Sequence, residues 1–126
     1  MILGVLDVLR TKRVYDEPGE GDGFRVLVDR LWPRGLSKER ARIDIWLKDV
    51  APSNELRSWY AHKSEKWQEF KKRYFRELNK RQDFIDLIIR KSRKGKITLL
   101  YAARDEKLNN AVALKEYVED YLKRKS

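Results

Sequence analysis

Two apolar segments of this 126-residue chain end in side chains that suit anion binding and proton transfer. Residues 26–28 are followed by Asp29, Arg30, Trp32 and Arg34. Residues 96–103 contain Tyr101 and are followed by Arg104, Asp105, Asn109 and Asn110. Arginine captures phosphate or carboxylate with paired hydrogen bonds, and aspartate can act as a general base. The two groups therefore predict a site for a small anionic ligand, such as a nucleotide or a phosphorylated metabolite.

Each residue has a role in this hypothesis. The anion is held by Arg30, Arg34 and Arg104, while Trp32 stacks on the ligand or shields it. The general base of an enzyme is Asp29 or Asp105. Tyr101, Asn109 and Asn110 complete the ligand-binding set, and one of the two asparagines begins the last helix, where an anion is favoured. Binding alone and catalysis both fit these residue types.

A purely structural role fits the same side chains. Asp29 would then pair with Arg30 or Arg104, and Trp32 would cover the core. Asn109 or Asn110 would cap a helix, because asparagine oxygens accept hydrogen bonds from free amide groups there. His62 follows a predicted helix end, a place more typical of a surface histidine than of a catalytic base.

The two apolar segments predict parallel strands, because a long helical connection joins them and such connections link parallel strands. Parallel strands end at the same edge of a sheet, where open α/β folds bind their ligands. We expect a single three-layer α/β domain over residues 1–126, with a small, mostly parallel β-sheet flanked by helices. A further strand is predicted within residues 2–15. The loop at 16–23 is too short for a helical crossover, so the strand after it is antiparallel to the first or not its neighbour.

The helices between the strands are predicted from caps and apolar periodicity. Ser37 and Ser53 are expected to cap short helices, and Ser64 and Asp83 to cap longer ones. Residues 42–50 fit a strand or a helix equally. A last helix follows Asn110, with apolar residues spaced as on one helical face.

The composition excludes several kinds of chemistry and leaves one alternative function. Without cysteine there is no thiol nucleophile, disulfide or thiolate metal site, and neither a metal site nor a cofactor is predicted. A net charge of +10 fits solubility, or weak nucleic-acid binding by a regulatory module that uses the basic residues 90–96. No apolar run is long enough to span a bilayer, so we expect a cytoplasmic protein without a membrane partner. The 40% content of charged residues is typical of thermophilic proteins, and nothing in the sequence predicts an oligomeric state.

Four motifs together resemble the YeaO-like family, also called domain of unknown function 488. They are KRVYDEP at 12–18, DGFRVLVDRLWPRGLSKE at 22–39, DIWLKDVAPSNELRSWYAH at 44–62 and ITLLYAARDEKLNNAVAL at 97–114. The resemblance implies one domain over nearly the whole chain, and no established activity. It also implies a Val-Asp-x-Arg type strand end at residues 28–30 and a Cys-His-Arg type helix start near Asn109 and Asn110. This chain has neither Cys nor His at that helix start, so the resemblance carries no chemistry of those side chains over to it.

Overall fold

Residues 9–125, which the computed structural model describes, form a parallel β-sheet of four strands with five α-helices. The strands are β1 (Leu9–Arg13), β2 (Phe24–Leu27), β3 (Ile45–Trp46) and β4 (Ile97–Tyr101). Their order in the sheet is β1-β4-β2-β3, and each neighbouring pair is parallel. The predicted α/β class with a mostly parallel sheet is confirmed. Residues 2–8 of the first predicted strand lie outside the described part of the chain.

The connection between β1 and β2 settles one open alternative. It contains only a 3₁₀ turn at Glu20–Asp22, and β4 lies between the two strands it joins. The second strand is therefore parallel to the first but not its neighbour. Gly23 allows β2 to begin close to the backbone of Lys96, just before β4. It has a φ of 66°, and a Cβ there would collide with the carbonyl oxygen of Lys96.

The helices begin at caps that were predicted in part. They are α1 (Lys38–Ala41), α2 (Asn54–Tyr60), α3 (Trp67–Leu78), α4 (Gln82–Ser92) and α5 (Asn110–Lys125). Ser37 and Ser53 cap α1 and α2 through their hydroxyl oxygens, as expected. The prediction for Ser64 was wrong, because this residue opens a separate 3₁₀ turn before α3. The prediction for Asp83 was also wrong, since α4 starts one residue earlier and Asp83 lies in its first turn.

The two faces of the sheet are covered unequally. One face packs against α3, α4 and α5 through the main core, which includes Leu99, Tyr74 and Leu114. On the other face Leu27 and Leu100 are covered by Trp32, Leu36 and Ile43, from the segment that also contains α1. Because successive strand residues point to opposite faces, Leu99 and Leu100 belong to different clusters. The ambiguous residues 42–50 form the short β3 and then a 3₁₀ turn, Lys48–Val50.

No helix within residues 9–125 is long and apolar enough to cross a membrane. In the same part of the chain, no three His, Asp or Glu side chains gather in a way that could hold a metal ion.

Candidate functional site: a cleft at the carboxyl edge of the sheet

A cleft of about 480 Å³ opens beyond the carboxyl ends of β2 and β4. Its basic side chains are Arg30, Arg34, Arg57 and His62, and its other polar side chains are Asp29, Asn109 and Asn110. Its aromatic side chains are Tyr15, Trp32, Tyr60 and Phe70. The two strands are neighbours and parallel, so both deliver residues to this edge, as predicted.

Asp29 forms hydrogen bonds to three elements that meet at the base of the cleft. Its Oδ2 accepts a hydrogen bond from the amide of Ala102 at 2.9 Å, just beyond β4. Its Oδ1 accepts one from Nδ2 of Asn110 at 3.1 Å, in the first turn of α5. Its carbonyl oxygen accepts one from the Trp46 indole in β3. The expected ion pair of Asp29 with Arg30 or Arg104 is therefore wrong: the carboxylate is held by uncharged donors.

The electrostatics of Asp29 follow from this environment. Burial raises the pKa of Asp29 above its ordinary value, because the charged form loses hydration. The hydrogen bonds from Ala102 and Asn110 and the positive charge of Arg57 lower the pKa, but they offset only part of the effect of burial. Asp29 thus accepts a proton more readily than an exposed aspartate.

Arg30 is the least satisfied polar side chain in the cleft. Its Nε is buried and finds no hydrogen-bond acceptor within residues 9–125. A buried donor without a partner costs about 1–3 kcal/mol, and nearly all such groups in native proteins are paired. An arginine whose nitrogen is left unpaired in this way can satisfy it by turning the side chain towards an acceptor in the cleft.

Trp32 forms one wall of the cleft and also covers the thinner face of the sheet. Its indole Nε1 donates to the Leu36 carbonyl at 2.6 Å, which fixes the ring. The ring also packs edge-to-face on Trp46, with centroids 5.6 Å apart. The covering role and the ligand-shielding role are therefore compatible for this residue.

The two asparagines at the start of α5 have different partners. Asn109 is a helix cap, since its Oδ1 accepts from the Val112 amide at 3.0 Å. Asn110 reaches back to β2, with Nδ2 donating to Asp29 and to the Val28 carbonyl. Both line the cleft, as predicted, but Asn109 already uses its oxygen within the protein.

Three predicted site residues do not line the cleft: Tyr101, Arg104 and Asp105. Tyr101 belongs to the main core, where burial raises the pKa of its hydroxyl. Arg104 is exposed. Asp105 is also exposed and holds its own loop, because its Oδ1 accepts from the amides of Lys107 and Leu108; these bonds lower the pKa of Asp105.

The sequence did not predict that α2 and α3 would contribute residues to the cleft. Arg57 and Tyr60 come from α2, and Phe70 comes from α3. His62, set aside as a surface residue, is exposed but lines the cleft just after α2. Ala61 and His62 both have left-handed backbones, with φ of 47° and 58°. Such conformations are unfavourable for residues other than glycine and concentrate at functional sites.

A small, fully parallel α/β domain with an arginine-lined cleft at its strand ends is the class that these observations define. The chain belongs to the DUF488 family: residues 8–126 match the family model DUF488-N3i, described as the inactive DUF488-N3 subclade. The YeaO-like family resemblance is thereby confirmed.

Named relatives are similar over part or most of the chain. The uncharacterised protein YeaO of Escherichia coli (strain K12) is 36% identical over 110 residues, which cover 87% of this chain and 96% of that protein. An uncharacterised protein of Mycobacterium tuberculosis (strain H37Rv) is 54% identical over 71 residues, or 56% of this chain. A protein of Mycobacterium bovis matches to the same extent. The chain spans 60% of the length of these mycobacterial relatives. No solved structure matches it.

Proposed function

We propose that this protein binds a small anionic ligand, phosphate- or nucleotide-like in charge, in the cleft at the carboxyl edge of its sheet. The observation that carries the proposal is the buried Nε of Arg30, which has no acceptor within residues 9–125. A ligand oxygen would supply the missing acceptor once the Arg30 side chain turns this nitrogen into the cleft, and it would lie among further positive groups. Hydrogen bonds to charged groups are the stronger ones in proteins.

The charge distribution of the cleft supports this proposal. Arg34 and Arg57 line it with Arg30, whereas Asp29 is the one carboxylate that residues 9–125 contribute to the lining. Because Asp29 is half-buried and its two carboxylate oxygens already accept hydrogen bonds, it offers an incoming anion little exposed negative charge. Guanidinium groups are suited to phosphate and carboxylate because their donors match the geometry of two oxygens.

Binding without turnover is favoured over catalysis. The matched subclade is described as inactive. Of the two predicted general bases, Asp105 is exposed and outside the cleft lining, and its low pKa makes it a poor base. Asp29 lies in the cleft and has the raised pKa that suits a base, so any proton transfer would fall to it.

Titration calorimetry with phosphate and sulfate tests the proposal. We expect Arg30→Met to weaken binding by about 1.5–3 kcal/mol, the range for a hydrogen bond to a charged group. Arg93→Met is the matched control, because Arg93 is exposed beyond α4 at the opposite edge of the sheet. Parent protein that binds neither anion at millimolar concentrations would contradict the proposal, as would equal losses in the two variants.

The alternative function is weak nucleic-acid binding through the opposite edge, where Arg90, Arg93, Lys94 and Lys96 are exposed. These side chains lie at the end of α4 and before β4, far along the strands from the cleft. Binding of duplex DNA through them should weaken steeply with salt, by a log–log slope of about −0.9 for each phosphate contacted. Tight binding that persists at high salt and depends on sequence would favour this alternative instead.

A further inference from the structure

We propose that the ligand is an anion attached to a flat aromatic group, as in an aryl phosphate or an aryl carboxylate. This inference rests on the proposed function and adds the chemical class of the uncharged part of the ligand. In this arrangement the anionic end meets the arginines, and the aromatic part fills the apolar remainder of the cleft.

The size of the cleft is the first argument. Its volume of 480 Å³ lies within the usual range of ligand pockets. A phosphate or sulfate ion, with five heavy atoms, would leave most of this space to water. A ring joined to the anion would use it.

The walls provide the second argument. Trp32 lies on one side, after β2, and Tyr60 and Phe70 come from the helical layer on the other face of the sheet. The rings of Tyr60 and Phe70 are 4.5 Å apart, and both residues are buried within an aromatic cluster that includes Trp67. Trp32 is held by its bond to the Leu36 carbonyl. These walls are preformed, and aromatic rings bind favourably against such rings.

The rim provides the third argument, which is independent of the walls. Leu31 is 67% exposed and Tyr15 is 41% exposed, and both line the same cleft. Single exposed apolar residues are common, but two around one basic cleft form an apolar rim. Tyr15 is also fixed in place, because its hydroxyl donates to the Arg34 carbonyl at 2.9 Å. An apolar group on the ligand would cover this rim, whereas a hydrated inorganic ion would not.

The positive end of the cleft lies near Asp29. Arg30 is the next residue in the chain, and the charge of Arg57 is close enough to lower the pKa of the Asp29 carboxyl. The charged groups and the aromatic walls therefore occupy one cleft, which suits a ligand with an anionic end and an aromatic body.

Calorimetry with inorganic phosphate, phenyl phosphate and benzyl alcohol tests the inference. We expect phenyl phosphate to bind about tenfold more tightly than phosphate, from the apolar area that the ring buries. Benzyl alcohol, which lacks the anion, should show no binding at the same concentrations. Trp32→Leu should remove most of the preference for phenyl phosphate over phosphate.

Leu31→Ser is the second variant. Because Leu31 is mostly exposed, this variant should fold even if Trp32→Leu does not, and it then tests the inference. It should reduce the preference for phenyl phosphate by a smaller factor. Equal affinities for phosphate and phenyl phosphate would overturn this inference and leave the proposed function standing. A preference that neither variant changes would also overturn it. If neither anion binds the parent protein, the proposed function fails, and this inference with it.

Discussion

Arg25 lies within β2 and Arg30 follows the end of that strand, and their hydrogen bonding differs. At the amino edge Arg25 is buried and its guanidinium is fully engaged: it donates to Asp22 at 2.5 Å, to the Ala41 carbonyl at 2.8 Å and to the Arg42 carbonyl at 3.0 Å. At the carboxyl edge Arg30 has a buried Nε without an acceptor in the described residues. The first arginine stabilises the fold, and the second has a buried donor that the described part of the fold does not satisfy.

The aspartates of the two edges show the same contrast. Burial tends to raise the pKa of Asp22, but hydrogen bonds from Gly19, Lys12 and Arg25 outweigh it, so that the pKa falls below its ordinary value. Asp29 has only uncharged hydrogen-bond donors, and burial raises its pKa. Asp22 is therefore hydrogen-bonded to two cationic side chains at the amino edge, whereas Asp29 at the cleft is hydrogen-bonded to uncharged donors, with only the charge of Arg57 acting on it. A buried arginine indicates a ligand site only when its own fold does not satisfy it.

The largest loss of stability is expected from disrupting the Asp22–Arg25 ion pair at the amino edge of the sheet. Asp22→Ala leaves Arg25 buried without its carboxylate, and removing one partner of a buried pair typically costs about 3–5 kcal/mol. Urea unfolding measures this loss. The control is Glu20→Ala, which removes an exposed acid from the same turn and should change stability little. Equal effects of the two variants would show that the Asp22–Arg25 pair does not hold this edge together.

A smaller loss of stability is expected at the carboxyl edge. Asp29→Asn replaces one carboxylate oxygen by an NH₂ group, which then faces a donor, either the Ala102 amide or Asn110 Nδ2. Leaving a buried donor unsatisfied costs about 1–3 kcal/mol. Urea unfolding measures this loss, and Asn110→Ala should also be destabilised, because it removes the donor to Asp29 Oδ1 and to the Val28 carbonyl. An Asp29→Asn variant as stable as the parent would show that these hydrogen bonds do not hold the base of the cleft together.

The sequence predicted the parallel pairing of β2 and β4, because their long helical connection constrains their direction. It also placed Asp29 and Asn110 in the larger set of residues expected at the strand ends, and these two are in contact. It could not predict that β1 pairs with β4, since 88 positions separate the paired residues Leu9 and Ile97 and nothing local records their contact. The contributions of Arg57 and Phe70 were unpredictable for the same reason: tertiary packing alone brings α2 and α3 to the cleft.

Two errors could have been avoided from local rules. Tyr101 lies two positions after Leu99, so the alternation of strand side chains places both on the face that packs against the helices. Asp105 precedes a loop in which aspartate commonly accepts hydrogen bonds from amides two or three residues later, and it does so here. Both residues were assigned to the site because of their chemistry, although their positions already favoured structural roles.

The opposite pKa shifts predict opposite responses to acid. The raised pKa of Asp29 means that the folded state binds a proton at a higher pH than the unfolded state does. The free energy of unfolding therefore increases as the pH falls from the folded pKa to the ordinary value of 3.8. The lowered pKa of Asp22 means that its contribution is present above 3.8 and is lost as the pH falls through its folded pKa.

Unfolding free energies at several pH values between 3 and 7 check this on the two variants already described. The cost of Asp29→Asn should grow as the pH falls towards 3.8, because the wild-type residue gains a proton in the folded state. The cost of Asp22→Ala should shrink below 3.8. Parallel curves for the two variants would contradict the assigned environments.

The smallest effects on stability and binding are expected for Arg34 and Arg104. The sequence predicted that both would bind the same anion. Both are exposed, but Arg34 lines the cleft and Arg104 does not. The Tyr15 hydroxyl bonds to the backbone carbonyl of Arg34, so Arg34→Ala keeps that contact and should change stability by less than about 0.5 kcal/mol. It should weaken phosphate binding by about 0.5–1.5 kcal/mol, less than Arg30→Met, because an exposed guanidinium exchanges water for the anion. Arg104→Ala should leave binding unchanged in the same calorimetric series. A larger loss for Arg104→Ala than for Arg34→Ala would place the anion outside the cleft, over the loop that follows β4.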